Sequence, residues 1–168
     1  ARGQWLIWDG TRWKPDDRGQ IVQLCKQTAL AIFDEAKNAV GQSQKELVGW
    51  ALASQKRDRL TAMEVLARPD VAVTVDELDS DPWLFNVLNG TVDLRTGELR
   101  PHCQADLISK QAPVRFDPDA PAPRFDRFLG EITDGDDELK ELLLRFHGYC
   151  LTGDITEQIL MIYHGSGG

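Results

Sequence analysis

Asn89-Gly90-Thr91-Val92-Asp93-Leu94-Arg95-Thr96-Gly97-Glu98-Leu99 decides how the middle of this chain is read. Asn-Gly and Thr-Gly both mark turns. Between them, Thr91 to Leu94 alternates as a half-buried strand does. Thr96-Gly97 then sends the chain back into Glu98-Leu99, so the stretch predicts a small hairpin. Asn89-Gly90-Thr91 is also a glycosylation sequon, but that matters only in a secreted protein, and it is read here as a turn.

On the N-terminal side, Val71 to Val75 is β-prone, and Asp76 to Pro82 is an acidic turn. Its acids do not alternate around a central glycine as a calcium loop requires, so no metal is assigned. Further back the period lengthens. Ile21, Leu24, Thr28, Ile32, Ala36 and Val40 recur every three or four residues, which predicts an amphipathic helix stopped by Gly41. Ser43 and Glu46 form a capping-box pattern for a second helix carrying Leu47, Trp50, Ala51 and Ser54. A third helix includes Leu60, Met63 and Ala67 and ends before Pro69. Between the second and third lies Lys56-Arg57-Asp58-Arg59, the densest basic cluster in the chain. It is a candidate phosphate-backbone contact, or a solvated helix start. Near the beginning, Asp9-Gly10 between Trp5, Trp8 and Trp13 predicts a hairpin. Its tryptophans either cover a small core or offer a stacking platform; cross-strand aromatic pairs are ordinary sheet glue, which favours the first.

On the C-terminal side, four prolines in 112–124 predict an extended connector, and Phe125 to Ile132 a short helix. Asp134 is read as the cap of a further helix, with Asp136, Asp137 and Glu138 in its first turn. Leu139, Leu142, Leu143 and Phe146 form its apolar stripe, Arg145 and His147 its last turn, and Gly148 its C-terminal cap. The helix dipole accounts for His147 without chemistry. Gln158 to Tyr163 is then a short apolar run feeding Gly165-Ser166-Gly167-Gly168. A buried strand entering a glycine-rich loop is how a phosphate-binding P-loop begins, although the same composition serves as a linker.

A chain of 168 residues, 42 % hydrophobic and 27 % charged, has the make-up of one globular domain or two small ones. It needs neither disulfide nor metal to bury a core. No run is apolar for long enough to span a membrane, and no signal peptide is seen. Cys25, Cys103 and Cys150 show no metal spacing; they are read as buried small side chains in a reducing, cytoplasmic compartment. The chain opens without methionine and is expected to be a piece of a longer or processed protein. The net charge of −8 divides into +2 over residues 1–75 and −10 over 76–168. Bulk electrostatics therefore repels nucleic acid, and contact must use a local basic patch.

The block Asn89 to Leu99, with His102 following, resembles the NGxxDLxTGxLxxH signature of phage- and poxvirus-type primase–helicases. Other blocks match in order: Trp8-Asp9-Gly10-Thr11-Arg12-Trp13, Leu84 to Asn86, Gly148-Tyr149-Cys150-Leu151-Thr152-Gly153-Asp154, and Glu157-Gln158. The resemblance covers nearly the whole chain and implies the accessory domain just ahead of a superfamily-3 helicase domain.

On that resemblance the chain is α+β, a mostly helical domain with small β-hairpins over 1–155. Residues 156–168 then begin a truncated P-loop ATPase domain at its first strand. It implies a role in coupling a primase in cis to an ATP-driven DNA helicase, with ring assembly or DNA engagement. ATP and magnesium belong to the longer protein, with Gly165, Ser166, Gly167 and Gly168 as partial phosphate loop. Weak DNA contact would centre on Lys56, Arg57 and Arg59. No catalytic residue and no metal ligand is assigned, and no membrane partner is implied. The alternatives are the leading segment of another P-loop ATPase, or an interaction module with a glycine-rich tail.

Overall fold

A computed structural model describes residues 3–165. The chain divides into two compact units, Ala1–Leu78 and Asp79–Gly168, each taken by itself below. Both are built from helices and small antiparallel sheets, so the α+β reading holds.

The first unit opens with the hairpin β1 (Leu6–Trp8) and β2 (Trp13–Pro15), in which Trp8 faces Trp13. The loop has four residues. Its Asp9 carboxylate accepts from the Thr11 and Arg12 amides and from the Thr11 hydroxyl at 2.8–3.0 Å, and Gly10 takes φ +100°. Helix α1 (Gln20–Asn38) follows, its first amides held by Asp16, whose carboxylate accepts from Gln20 at 2.8 Å and Ile21 at 2.9 Å. These bonds favour the charged carboxylate and hold it below its ordinary range.

The buried face of α1 is Cys25, Ala29, Ile32 and Ala36. Of the expected stripe Ile32 and Ala36 are buried, whereas Leu24 and Thr28 are exposed and the neighbouring Cys25 and Ala29 take their places. Small side chains won the interior because they let α2 (Gln42–Ser54) approach closely through Ala51, itself fully buried. The Ser43–Glu46 capping box does not form. Helix α2 already starts at Gln42, so Ser43 lies inside its first turn, and Glu46 pairs with Gln42 at 3.0 Å.

Helix α3 (Arg57–Ala67) turns Leu60, Met63 and Ala67 into its half-buried face. Past Pro69 the β-prone run makes no strand. Pro69–Val71 and Val75–Glu77 are single 3₁₀ turns, the second closed by a capping box between Thr74 and Glu77. β-branched residues favour a strand only where a partner strand exists to pack on. Here Val71, Val73 and Val75 remain exposed.

The second unit holds a three-stranded sheet, β3 (Leu84–Val87), β4 (Gly90–Asp93) and β5 (Glu98–Arg100), in sequential antiparallel order. The expected hairpin is its β4–β5 half. Strand β3 joins through the Asn89-Gly90 turn, with Val87 opposite Gly90. The proline-bearing connector is extended as expected and lies along β3. The Ala112 amide donates to the Asn86 carbonyl at 2.9 Å and the Leu88 amide to the Val114 carbonyl at 2.8 Å.

Helix α4 (Pro123–Ile132) ends in a left-handed pair, Asp134 at φ +50° and Gly135 at φ +78°, whose Gly135 amide reaches back to the Gly130 carbonyl. Asp134 is therefore spent on closing α4. Asp136 caps α5 (Asp137–Leu151) instead, accepting from the Leu139 amide at 3.0 Å. Helix α5 also runs through Gly148 to Leu151, and Thr152 ends it. Gly148 is no cap, and Arg145 and His147 are not in the last turn. Of the expected stripe only Leu143 is buried; Phe146 is half-buried, and Leu139 and Leu142 are exposed.

Candidate nucleic-acid interface

Lys56 breaks away from α2 in an extended conformation, φ −65° and ψ 145°, and its carbonyl accepts the first bond of α3 from Leu60 at 3.0 Å. Arg57 and Arg59 then project from the first turn of α3. Lys56, Arg57 and Arg59 are all exposed. No carboxylate pairs with any of the three among the described residues. Other cations of this unit are paired, Lys14 and Arg12 with Asp9, Lys37 with Asp34, and Arg68 with Glu64 at 3.1 Å, while Arg18, Lys26 and Lys45 are, among the described residues, single unpaired cations rather than a cluster. Three cations at a helix N-terminus also oppose the positive end of the helix dipole. Local stability does not account for them.

The hairpin tryptophans are half-buried. Trp8 and Trp13 meet at 5.9 Å between ring centroids. The Trp5 indole N–H donates to Glu64 Oε1 at 2.9 Å, and the Arg68 guanidinium lies 5.2 Å over the Trp5 ring. These contacts tie the hairpin to α3, so the rings hold structure together.

Of the partial phosphate loop, Gly165 is exposed and without regular structure; Ser166, Gly167 and Gly168 lie outside the described residues. The apolar run before it forms no strand. Leu160 and Ile162 are 85 % and 78 % exposed, and no strand among the described residues pairs with this run. Residues 165–168 are Gly-Ser-Gly-Gly, without a lysine among them to reach the β- and γ-phosphates. Cys25 is buried as expected, and burial, with Glu64 nearby, pushes its thiol up. Cys103 and Cys150 are exposed, contrary to expectation: one precedes the Gln104–Asp106 turn and the other faces out from the end of α5.

The second unit has a cleft of about 390 Å³ between β3, residues 106–112 and the end of α5. Three carboxylates reach it, and each is committed. Asp79, left-handed at φ +53°, accepts from the Ser109 amide at 2.7 Å and from its hydroxyl. Asp81 accepts from the Trp83 amide at 3.0 Å and from both terminal nitrogens of Arg95; the amide and then the guanidinium outweigh burial and keep it charged. Asp106 pairs with Arg100 at 2.9 Å. They anchor loops and leave no pair free for acid–base work. Asp79 escaped the sequence reading, since nothing local links it to Ser109, thirty residues on.

The recurring sequence blocks meet here. Arg95 stacks on Trp83 at 5.5 Å. The Asn89 side chain both donates to the Phe116 carbonyl, at 2.9 Å, and accepts from its amide, at 2.8 Å. The Gly153 amide donates to the Pro82 carbonyl at 2.7 Å, and a Cβ at Gly153 would sit 3.2 Å from Pro82 Cα.

Each of the two compact units is α+β, and Lys56, Arg57 and Arg59 form a basic cluster with no ion pair among the described residues. Residues 1–134 match the family model described as D5 N terminal like. The chain belongs to that family, the primase–helicase-associated N-terminal domains of phage and poxvirus D5-type proteins. No curated protein gives a significant match. Among the described residues no helix is long and apolar enough to cross a membrane.

Proposed function

We propose that this chain is a non-catalytic accessory domain of a cytoplasmic replicative primase–helicase. It engages DNA weakly through Lys56, Arg57 and Arg59, and couples a primase in cis to an ATP-driven, ring-forming helicase. Residues 156–168 lead into the phosphate loop of that helicase, where ATP and magnesium are bound. The observation that carries the DNA reading is the unpaired cluster at the start of α3. In a chain of net charge −8 it holds three cations without an ion pair among the described residues, around the single acid Asp58 and against the helix dipole. Family membership supports the replication context.

Three phosphate contacts give a log–log salt slope of roughly −2 to −3, far shallower than that of a binder with six to ten contacts. The test is fluorescence anisotropy of a labelled single strand across a salt series. The parent chain is expected to bind at low salt with that slope, and the triple variant Lys56→Ala, Arg57→Ala, Arg59→Ala to lose the signal. Equal binding by the triple variant would make the cluster a solvated helix start and refute the reading.

A further inference from the structure

We infer that the DNA contact extends beyond the linear cluster into a groove between α1 and α3, where Lys26 supplies a further phosphate contact to a single strand. The inference rests on the DNA reading above.

Helix α1 places Val22 and Lys26 one turn apart on the face turned toward α3. Helix α3 places Arg57 and Thr61 one turn apart on its facing side, with Leu60 between them. Together with Gln55 they line a groove of about 370 Å³. Lys26 and Arg57 thus reach one concavity from two different helices, although 31 positions separate them in sequence. Neither has a carboxylate partner among the described residues. Among the described residues that line the groove, Glu64 is the one acid. Its Oε1 accepts from the Trp5 indole at 2.9 Å and from Arg68 at 3.1 Å, which pairs it with a cation other than Lys26 or Arg57.

The chemistry of the groove is mixed. Two cations suit phosphates, while Val22 and Leu60 offer an apolar floor. Lys56 and Arg59 are exposed at the same end of α3 but do not line the groove, so Arg57 is the residue shared by the groove and the linear cluster. A duplex presents its phosphates outward and keeps its bases stacked away from such a floor. A single strand presents phosphates together with an accessible sugar or base face, and alternation of charge and apolar contact is how single strands are held.

The test uses the whole chain and a labelled oligothymidine single strand, with circular dichroism to confirm that each variant folds. Lys26→Ala is expected to weaken binding about threefold to tenfold at low salt and to flatten the salt slope by about 0.7, one single-strand phosphate contact. Lys26→Arg is expected to restore most of it. Lys45→Ala, which removes an exposed lysine of α2, is expected to change nothing. If Lys26→Ala binds like the parent while the Lys56, Arg57, Arg59 triple variant does not, the groove is refuted and the linear cluster stands. If both bind like the parent, the DNA reading fails with it. A blunt duplex bound as tightly as the single strand, with the same loss on Lys26→Ala, would overturn the assignment to single strands.

Discussion

Replacing Gly90 with alanine is expected to cost the second unit a large part of its stability. Gly90 opens β4 at φ +154°, a region that L-residues rarely adopt. A Cβ built there would lie 2.4 Å from the Arg100 carbonyl oxygen and 2.8 Å from Leu99 Cδ1. The first contact is backbone, so relief requires β5 to move and the β4–β5 ladder to give way. Backbone strain of this kind costs about 1–3 kcal/mol, and overpacking of a tight site about as much again. The sum, about 2–6 kcal/mol, is a substantial share of the roughly 5–15 kcal/mol typical of a folded domain.

The assay is urea and thermal unfolding followed by far-ultraviolet circular dichroism. At roughly 4 °C or more per kcal/mol for a unit of this size, the midpoint should fall by at least about 8 °C. Gly97→Ala is the control. Gly97 is left-handed at φ +75°, but nothing lies within 4 Å of an added Cβ, so that variant carries backbone strain without the clash. If Gly90→Ala and Gly97→Ala unfold within about 0.5 kcal/mol of each other, the clash with β5 is not real and the sheet register is wrong.

Asp9 has its carboxyl at about 2, below the ordinary 3.8: burial acts to raise it, and hydrogen bonds from the Thr11 hydroxyl, the Thr11 and Arg12 amides and Lys14 overcome that. A carboxyl lowered on folding contributes stability above its unfolded pKa, so this contribution should be complete above about pH 4 and lost as pH falls toward 2. Asp9→Asn should therefore be less stable than the parent at neutral pH and flatter through that acid window. Thiol labelling of the native chain should find Cys103 and Cys150 reacting promptly and Cys25 only on unfolding, as its burial and raised thiol pKa require; three equally fast thiols would contradict the packing of α1.

Local patterns were readable where the deciding contact was itself local. Asp9-Gly10 announced the first hairpin, and the 3.6-residue period announced α1, α2 and α3. Where partners were distant, reading failed for a physical reason. Val71 to Val75 has strand propensity without a strand to pair with. Strand β3 needed residues 112–114 on one side and β4 on the other. The buried face of α1 was set by how closely Ala51 could approach, which a hydrophobicity pattern undervalues because alanine and cysteine are weakly apolar. Asp134 looked like a helix cap until the closing turn of α4 claimed it. The basic cluster was legible because its three cations are adjacent. Lys26 was not, since only the packing of α1 on α3 brings it to Arg57.

The central claim is that the α1–α3 surface of the first unit engages DNA. Amide chemical-shift mapping of the isotopically labelled chain, titrated at low salt with an oligothymidine single strand, tests it most directly. The account predicts changes clustered on Lys56 to Thr61 and around Lys26, fading as salt is raised, with the sheet of the second unit unmoved. Shifts confined to residues 79–165, or none anywhere at the lowest salt, would contradict it.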